Sequence, residues 1–117
     1  MELKDSVTKE KLLRAFAGES QARNRYTFSA SLARKKGLHV IEAVFLYTAD
    51  QEKEHAEIFY DHLKKAGCEN VTITGANYPV DLAEDPAEML EVARNHEMDE
   101  FGDVYPAFAD KAEEEGF

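Results

Sequence analysis

Apolar residues recur every three or four positions along three stretches of the chain, which is the spacing of an amphipathic α-helix. The first stretch covers about residues 6–36, the second about 39–66 and the third about 85–115. Gly37 stands where the first helix should end in a left-handed conformation, and Asp85 can cap the third. The sequence therefore predicts an all-α protein with three helices.

The two connections between these helices differ in length, and the difference predicts the topology. Residues 37–38 leave room only for a tight turn, so the first two helices should form an antiparallel hairpin. Residues 67–84 lose the helical period, and an extended segment of that length reaches about 55 Å. Because the second helix is only about 40 Å long, this segment can cross the whole bundle. The third helix should then begin at the same end as the second, as in four-helix bundles with a crossover connection.

Each predicted helix places acidic or imidazole side chains in its apolar, core-facing seam. The seam of the second helix advances in steps of three and four through Ile41, Phe45, Thr48, Glu52, His55, Phe59, His62 and Ala66. Glu19 has the corresponding place in the first helix, and Glu97 and Glu100 have it in the third. Burying an unpaired carboxylate costs on the order of several kcal/mol. These groups should therefore be satisfied by a cation or by a complete hydrogen-bond network.

The depth of these groups favours a shared site. For any single glutamate, a salt bridge or a shifted helix phase is the commoner explanation. In the hairpin, however, Glu19 and Glu52 fall at matching distances from the turn, within one helical turn of each other. Carboxylates and imidazole on facing helices are typical ligands of a dinuclear iron or manganese centre, whereas structural zinc prefers thiolates. His62 is a weaker candidate, expected in the core or at the bundle end, and His39 is expected at the surface. His96 is also expected at the surface, with a position facing the site as the alternative if the helix is rotated.

Composition excludes several other classes of protein. The 117 residues include 24 acidic and 14 basic side chains, for a net charge of −10, without a basic stripe on any predicted helix, which argues against binding nucleic acid. No apolar run approaches the roughly 20 residues of a membrane span, and residues 1–8 lack the apolar core of a signal peptide. We therefore expect a cytoplasmic protein. Cys68 is the only cysteine, so an internal disulfide and a C-x-x-C metal motif are excluded.

Three segments carry a specific resemblance. Residues Phe16–Tyr26, Glu52–Phe59 and Tyr105–Asp110 closely resemble the ferritin-like diiron domain of rubrerythrins, and the similarity extends over nearly the whole chain. The resemblance implies that residues 1–117 form part of a ferritin-like four-helix bundle. It further implies a non-haem diiron peroxidase that reduces hydrogen peroxide to water in oxidative-stress defence.

The resemblance also implies roles for particular residues. Five side chains match the iron ligands of the family: Glu19, Glu52, His55, Glu97 and Glu100. Glu97 resembles the carboxylate that exchanges with a histidine as one iron shifts with redox state, and it is a candidate proton carrier. Tyr26 and Tyr105 match tyrosines that form hydrogen bonds near the site. The implied cofactor is a pair of iron ions, with manganese or zinc as substitutes.

Two departures from the family pattern shape the expected partners. The fourth helix with its second Glu-x-x-His motif is absent from these 117 residues, and so is the rubredoxin-like domain. We therefore expect a homo-oligomer, at least a dimer, and an external rubredoxin-like donor through which electrons arrive from NADH. The fourth helix should come from another segment or chain, including a domain-swapped arrangement.

Other arrangements and functions remain as alternatives. Two hairpins related by a two-fold axis would each contribute Glu19, Glu52 and His55 and so supply a complete ligand set between them. Two alternative functions are a ferritin-like ferroxidase that stores iron and a metal-free helical interaction module.

Overall fold

The structure is a computed structural model that describes residues 1–117, and every regular element in it is helical. The elements in chain order are a 3-10 turn at Leu3–Asp5, α1 at Thr8–Lys35, α2 at His39–Lys65, α3 at Pro86–Asp99, a π-helical turn at Glu100–Val104 and α4 at Tyr105–Glu114. No strand is present. The predicted all-α class is confirmed, and the arrangement is consistent with a ferritin-like helical bundle.

Helices α1 and α2 form an antiparallel hairpin around a tight glycine turn. Gly37 has a φ of 73°, which only glycine adopts without strain. The N–H of Leu38 donates to the carbonyl of Ala33 at 2.9 Å, which satisfies a carbonyl at the end of α1. Small residues of α1 then let the two helices approach closely, with Ala22 and Ala30 packed in one cluster with Phe45 of α2.

The crossover segment between α2 and α3 runs along α1 towards the hairpin turn. The N–H of Thr74 donates to Glu10 at 2.9 Å, and further along α1 the hydroxyl of Tyr78 donates to the carbonyl of Arg14 at 3.0 Å. Met89, near the start of α3, packs in the same cluster as Phe45, near the start of α2. Helices α2 and α3 therefore begin at the same end of the bundle and run parallel.

The third predicted helix is not one uniform α-helix. Pro106 lies inside this stretch, where a proline breaks the regular hydrogen bonding, and a π-helical turn ends at Val104, two positions before it. The N–H of Tyr105 bonds to the carbonyl of Glu100, five residues earlier. Because Pro106 has no N–H to donate and its ring would clash with the preceding turn, the backbone widens there. Glu100 is the first residue of this turn, and the turn lies between Glu97 of α3 and the aromatic residues of α4.

Only part of the core-facing seam predicted for α2 is buried, because the covered side of the helix is rotated relative to the prediction. The residues of α2 that are buried are Phe45, Ala49, Glu52, Ala56 and Leu63. His62 is exposed, so a core position for it is wrong, and the side chain of His55 is 54% exposed. These histidines are exposed because α2 packs chiefly against α1. Only one narrow stripe of α2 is therefore buried, and the side that carries His55 and His62 faces solvent.

None of the helices combines the length and the apolar character that crossing a membrane requires.

The two ends of the chain meet in a cap on α1. The N–H groups of Val7 and Thr8 donate to the carboxylate of Glu115 at 2.9 and 2.6 Å. A carboxylate at a helix N-terminus satisfies free N–H groups and favours the positive end of the helix dipole. The hydroxyl of Thr8 also donates to this carboxylate and is the first cause that lowers the pKa of Glu115, with the two backbone N–H groups adding to it.

We predict that Glu115→Gln lowers the melting temperature at neutral pH, whereas Glu113→Gln, on an exposed neighbour, does not. Because the pKa of Glu115 is lowered in the folded chain, its contribution is present above its ordinary value of 4.5 and is lost as the pH falls through the folded value. Thermal unfolding followed by circular dichroism should therefore show the difference between Glu115→Gln and the unaltered chain disappearing in acid. A difference that stays constant as the pH falls below 4.5, down to the acid unfolding of the chain, would contradict the capping role.

We also predict that Gly18→Ala stabilises the chain by about 0.5–1 kcal/mol, because glycine is costly inside a helix. A Cβ at this position would meet only Tyr78, at an ordinary contact distance of 3.6 Å. Gly75→Ala is the matched control, and it should destabilise the chain because Gly75 has a φ of 71°. Urea unfolding measures both, and a loss of stability in Gly18→Ala would show that close packing requires the glycine.

Candidate metal centre

Two carboxylates lie in the interface between α1 and α2. Glu19 is 3% exposed and Glu52 is 4% exposed, although neither forms an ion pair with a lysine or arginine. The antiparallel hairpin places the two glutamates at the same height along the helix axes, as the sequence predicts. Two acids buried together repel each other and lose their hydration, so each needs a compensating partner.

His55 completes a cluster of three potential ligands. Its Nδ1 lies 3.7 Å from Oε2 of Glu19 and 4.0 Å from Oε2 of Glu52, one helical turn earlier in α2. Ligand atoms of Glu19, Glu52 and His55 all lie within 4.8 Å of one another. These distances are too long for good hydrogen bonds, whereas a cation placed among the three side chains can bind all of them.

The surroundings of the Oε2 atom of Glu19 indicate a site for a cation. It is buried and has no hydrogen-bond partner. Burial raises the pKa of Glu19, while the hydrogen bond from Tyr105 and the nearby His55 work in the opposite direction. A buried carboxylate oxygen without a donor is costly, and a metal ion would satisfy it. The donor set of two carboxylates and one imidazole suits iron or manganese, so the residues present fit the implied metal.

Two tyrosines hold acids of the site by hydrogen bonds. The hydroxyl of Tyr105 donates to Oε1 of Glu19 at 2.6 Å, and the hydroxyl of Tyr26 donates to Oε1 of Glu97 at 2.8 Å. Burial is the main cause that raises the pKa of both tyrosines, and the neighbouring acids raise it further. Both therefore stay protonated as donors at neutral pH, and each leaves the second oxygen of its carboxylate free for another partner.

Glu97 and Glu100 lie beside the cluster rather than within it. Both are partly buried on the helical stretch that packs against α1. Burial, followed by the charges of Glu97 and Glu19, raises the pKa of Glu100 to about 7, and Arg25 opposes this. The four acids are thus close enough to interact, but only Glu19, Glu52 and His55 converge tightly.

Sequence reasoning missed the arginine that borders these acids. The Nη1 of Arg25 lies 2.7 Å from Oδ2 of Asp81 in the crossover, and its Nε donates to Gln21 at 2.6 Å. His96, predicted at the surface, is half-buried with its Nδ1 3.5 Å from the same guanidinium. Arg25 lies in a segment that resembles the family, but its partner is far away along the chain, so only the fold could identify the pair.

The sequence of the chain is similar to those of known proteins. The sequence model of the rubrerythrin family matches residues 10–117. The chain is 50% identical over 115 residues to rubrerythrin from Porphyromonas gingivalis, covering 98% of this chain and 56% of that protein. It is 48% identical over 115 residues to rubrerythrin from Clostridium perfringens, covering 98% of this chain and 59% of that protein.

A third relative, rubrerythrin from Nitratidesulfovibrio vulgaris, is 41% identical over 115 residues, with 98% of this chain and 58% of the relative covered. The chain thus spans somewhat more than half the length of these curated relatives. Because the family match takes in all of α1, α2, α3 and α4 except the first two residues of α1, the chain belongs to the rubrerythrin family.

Proposed function

We propose that this chain forms part of a non-haem diiron peroxidase that reduces hydrogen peroxide to water in oxidative-stress defence. The observation that carries the proposal is the convergence of Glu19, Glu52 and His55 around a buried carboxylate oxygen that has no donor. Membership of the rubrerythrin family supports iron as the metal. A metal-free interaction module is disfavoured, because no donor in the chain lies within hydrogen-bond distance of that oxygen, and His55 Nδ1 is 3.7 Å away.

In this proposal the cluster holds two iron ions, and Glu97 and Glu100 provide further carboxylate oxygens from the neighbouring helix. Manganese or zinc can substitute in the same donor set. When bound, the iron pair supplies the two electrons that, with two protons, convert one hydrogen peroxide molecule into two water molecules. The protein itself positions the carboxylates and supplies the groups that transfer protons.

The tyrosines and the outer acids have distinct roles. Tyr105 fixes one oxygen of Glu19 and so directs the other oxygen towards His55. Tyr26 holds Glu97 in the same way. If Glu97 moves, either the hydrogen bond from Tyr26 breaks or the tyrosine side chain moves with it. Glu97 and Glu100 are partly buried acids beside the cluster, so they are the proposed proton carriers.

The solvent-exposed side of α2 supports the proposal that a further helix packs against it in the assembled protein. The side chain of His55 is 54% exposed, and no other helix of these 117 residues covers it. We propose that a further helix, from another segment or from a second copy in a domain-swapped dimer, packs there and contributes the remaining ligands. Electrons would come from a separate rubredoxin-like protein linked to NADH.

The metal site can be tested with a matched pair of variants. Glu52→Ala should lose most of its iron, because it removes a buried carboxylate of the cluster, whereas Glu54→Ala should keep its iron because Glu54 is exposed on the same helix. Iron content is measured on protein purified without oxygen. The rise in melting temperature on adding ferrous iron should also vanish in Glu52→Ala, because a ligand that binds only the folded state stabilises it. Full iron content in Glu52→Ala would remove Glu52 from the ligand set.

The reaction can be tested by stopped-flow mixing of the reduced, iron-loaded protein with hydrogen peroxide or dioxygen. We expect oxidation by peroxide to be faster than oxidation by dioxygen at equal concentration. Faster oxidation by dioxygen, together with a large hollow assembly that accumulates many iron ions per chain, would favour a ferritin-like ferroxidase and iron store instead.

A further inference from the structure

Helix α3 is anchored to the rest of the chain mainly at its beginning. Its buried residues are Pro86 and Met89, both in its first turn, and Leu90 and Ala93 pack partly against the core cluster. No residue in the second half of α3 is buried. A helix that is anchored by apolar burial at one end only is free to tilt or rotate at the other. The end that carries Glu97 therefore needs further contacts to keep a fixed position.

Two polar contacts from α1 reach this end of α3. The hydroxyl of Tyr26 donates to Glu97 at 2.8 Å. Nη1 of Arg25, the residue before Tyr26, lies 3.5 Å from Nδ1 of His96, the residue before Glu97. Two neighbouring residues of α1 thus contact two neighbouring residues of α3, next to the metal centre.

The guanidinium group of Arg25 is itself fixed by its other partners. Its Nε donates to Gln21 at 2.6 Å, and its Nη1 lies 2.7 Å from Oδ2 of Asp81 in the crossover. The group also lies over the ring of Tyr26, 5.6 Å from the centroid. A planar guanidinium donates in several fixed directions at once, which the ammonium group of a lysine does not. Arg25 therefore joins α1, the crossover and α3 at one point.

The ion pair of Arg25 and Asp81 is better suited to positioning than to stabilising the fold. The side chains are 12% and 20% exposed, and Oδ1 of Asp81 is buried without a hydrogen-bond partner. Such a pair adds little to stability, because the lost hydration offsets the attraction, but it can favour one arrangement of the segments that it joins. Here those segments are the crossover and α1, which also contacts α3 through Arg25.

We propose that Arg25 is a positioning residue of the metal centre: together with Asp81 it fixes the second half of α3, so that Glu97 and Glu100 stay beside the metal cluster. This inference rests on the proposed function for the role of these two glutamates as ligands. The fixing of α3 by Arg25 does not depend on that role. Arg25 acts through other residues and contacts neither metal nor substrate.

A purely electrostatic role of Arg25 predicts the opposite effect on metal binding. Burial, followed by the charges of two neighbouring glutamates, raises the pKa of Glu100, and the charge of Arg25 opposes this. The positive charge of Arg25 thus acts on the site, and by itself it repels a bound cation. Removing a charge that only repels would tighten metal binding, whereas removing a positioning residue weakens it. The sign of the change distinguishes the two roles.

The fixing of α3 is tested by amide hydrogen exchange of the metal-free full chain. In Arg25→Gln the amides of residues 93–99 should exchange about fivefold faster, which corresponds to the loss of one hydrogen bond, while the amides of α2 keep their rates. Asp81→Asn should change the rates in the same direction. Arg23→Gln is the control and should leave all rates unchanged, because Arg23 is exposed on the same helix and the substitution removes the same charge.

Unchanged exchange of residues 93–99 in both Arg25→Gln and Asp81→Asn would overturn the proposal. An equal acceleration in α2 and α3 would also overturn it, because it would indicate a general loss of stability. The double variant tests whether the two side chains act as a unit. If they do, it exchanges no faster than Arg25→Gln alone, whereas effects that multiply would remove Asp81 from the proposal.

The effect on the site is tested by titration with manganese(II) alone, followed by electron paramagnetic resonance. The spectrum distinguishes one bound ion from two neighbouring ions, because the spins of neighbouring ions couple. In Arg25→Gln the first ion should bind with unchanged affinity, since its cluster lies between α1 and α2. The second ion should bind about fivefold more weakly, because Glu97 and Glu100 are no longer held in place. Equal or tighter binding of the second ion would overturn the positioning role.

The outcomes for Arg25 and for the proposed function are separable. If the unaltered chain bound no second manganese ion, the proposed role of Glu97 and Glu100 as ligands would fail, and with it the effect of Arg25 on metal binding. The hydrogen-exchange rates would then still decide whether Arg25 fixes α3. Two bound ions in both the unaltered chain and Arg25→Gln, with equal affinities, would overturn the role of Arg25 and leave the proposed function intact.

Discussion

The structure depends on the burial of two carboxylates between α1 and α2. Glu19 and Glu52 occupy positions where apolar side chains would give a more stable helix pair without cost. A chain that buries these acids must satisfy them, and the partners that it provides are incomplete, because one oxygen of Glu19 has no donor. Because no group donates a hydrogen bond to that oxygen, we infer a cation beside it, and the family to which the chain belongs supports iron.

The surrounding fold is arranged to hold these acids in place. The tight turn at Gly37 sets α1 and α2 at matching heights, and the small side chains Ala22 and Ala30 bring the helices close together. The crossover then carries the chain back along α1, so that α3 and α4 run antiparallel to it. This direction is what brings Tyr105 to Glu19 and Tyr26 to Glu97, each through one hydrogen bond between elements distant in sequence.

The π-helical turn connects the backbone chemistry of Pro106 with the site. Because the proline cannot donate to the preceding turn, the helix widens at Glu100–Val104. Glu100 begins this turn and Tyr105 follows it, and both line a cavity of about 360 Å³ between α1, the crossover segment and α4.

The sequence by itself determined the helical class, the hairpin and the acids of the candidate site, because helical periodicity, glycine turns and charged residues in apolar seams are local patterns. It did not determine the exact covered stripe of α2, since His55 and His62 follow the same period as the buried residues and only the neighbouring helices decide which side is covered. It also could not show that Glu97 and Glu100 lie beside the cluster of Glu19, Glu52 and His55 rather than within it, or that Arg25 pairs with Asp81. Those relations join residues from different elements, and they depend on helix rotation and on the path of the crossover, which only the tertiary structure sets.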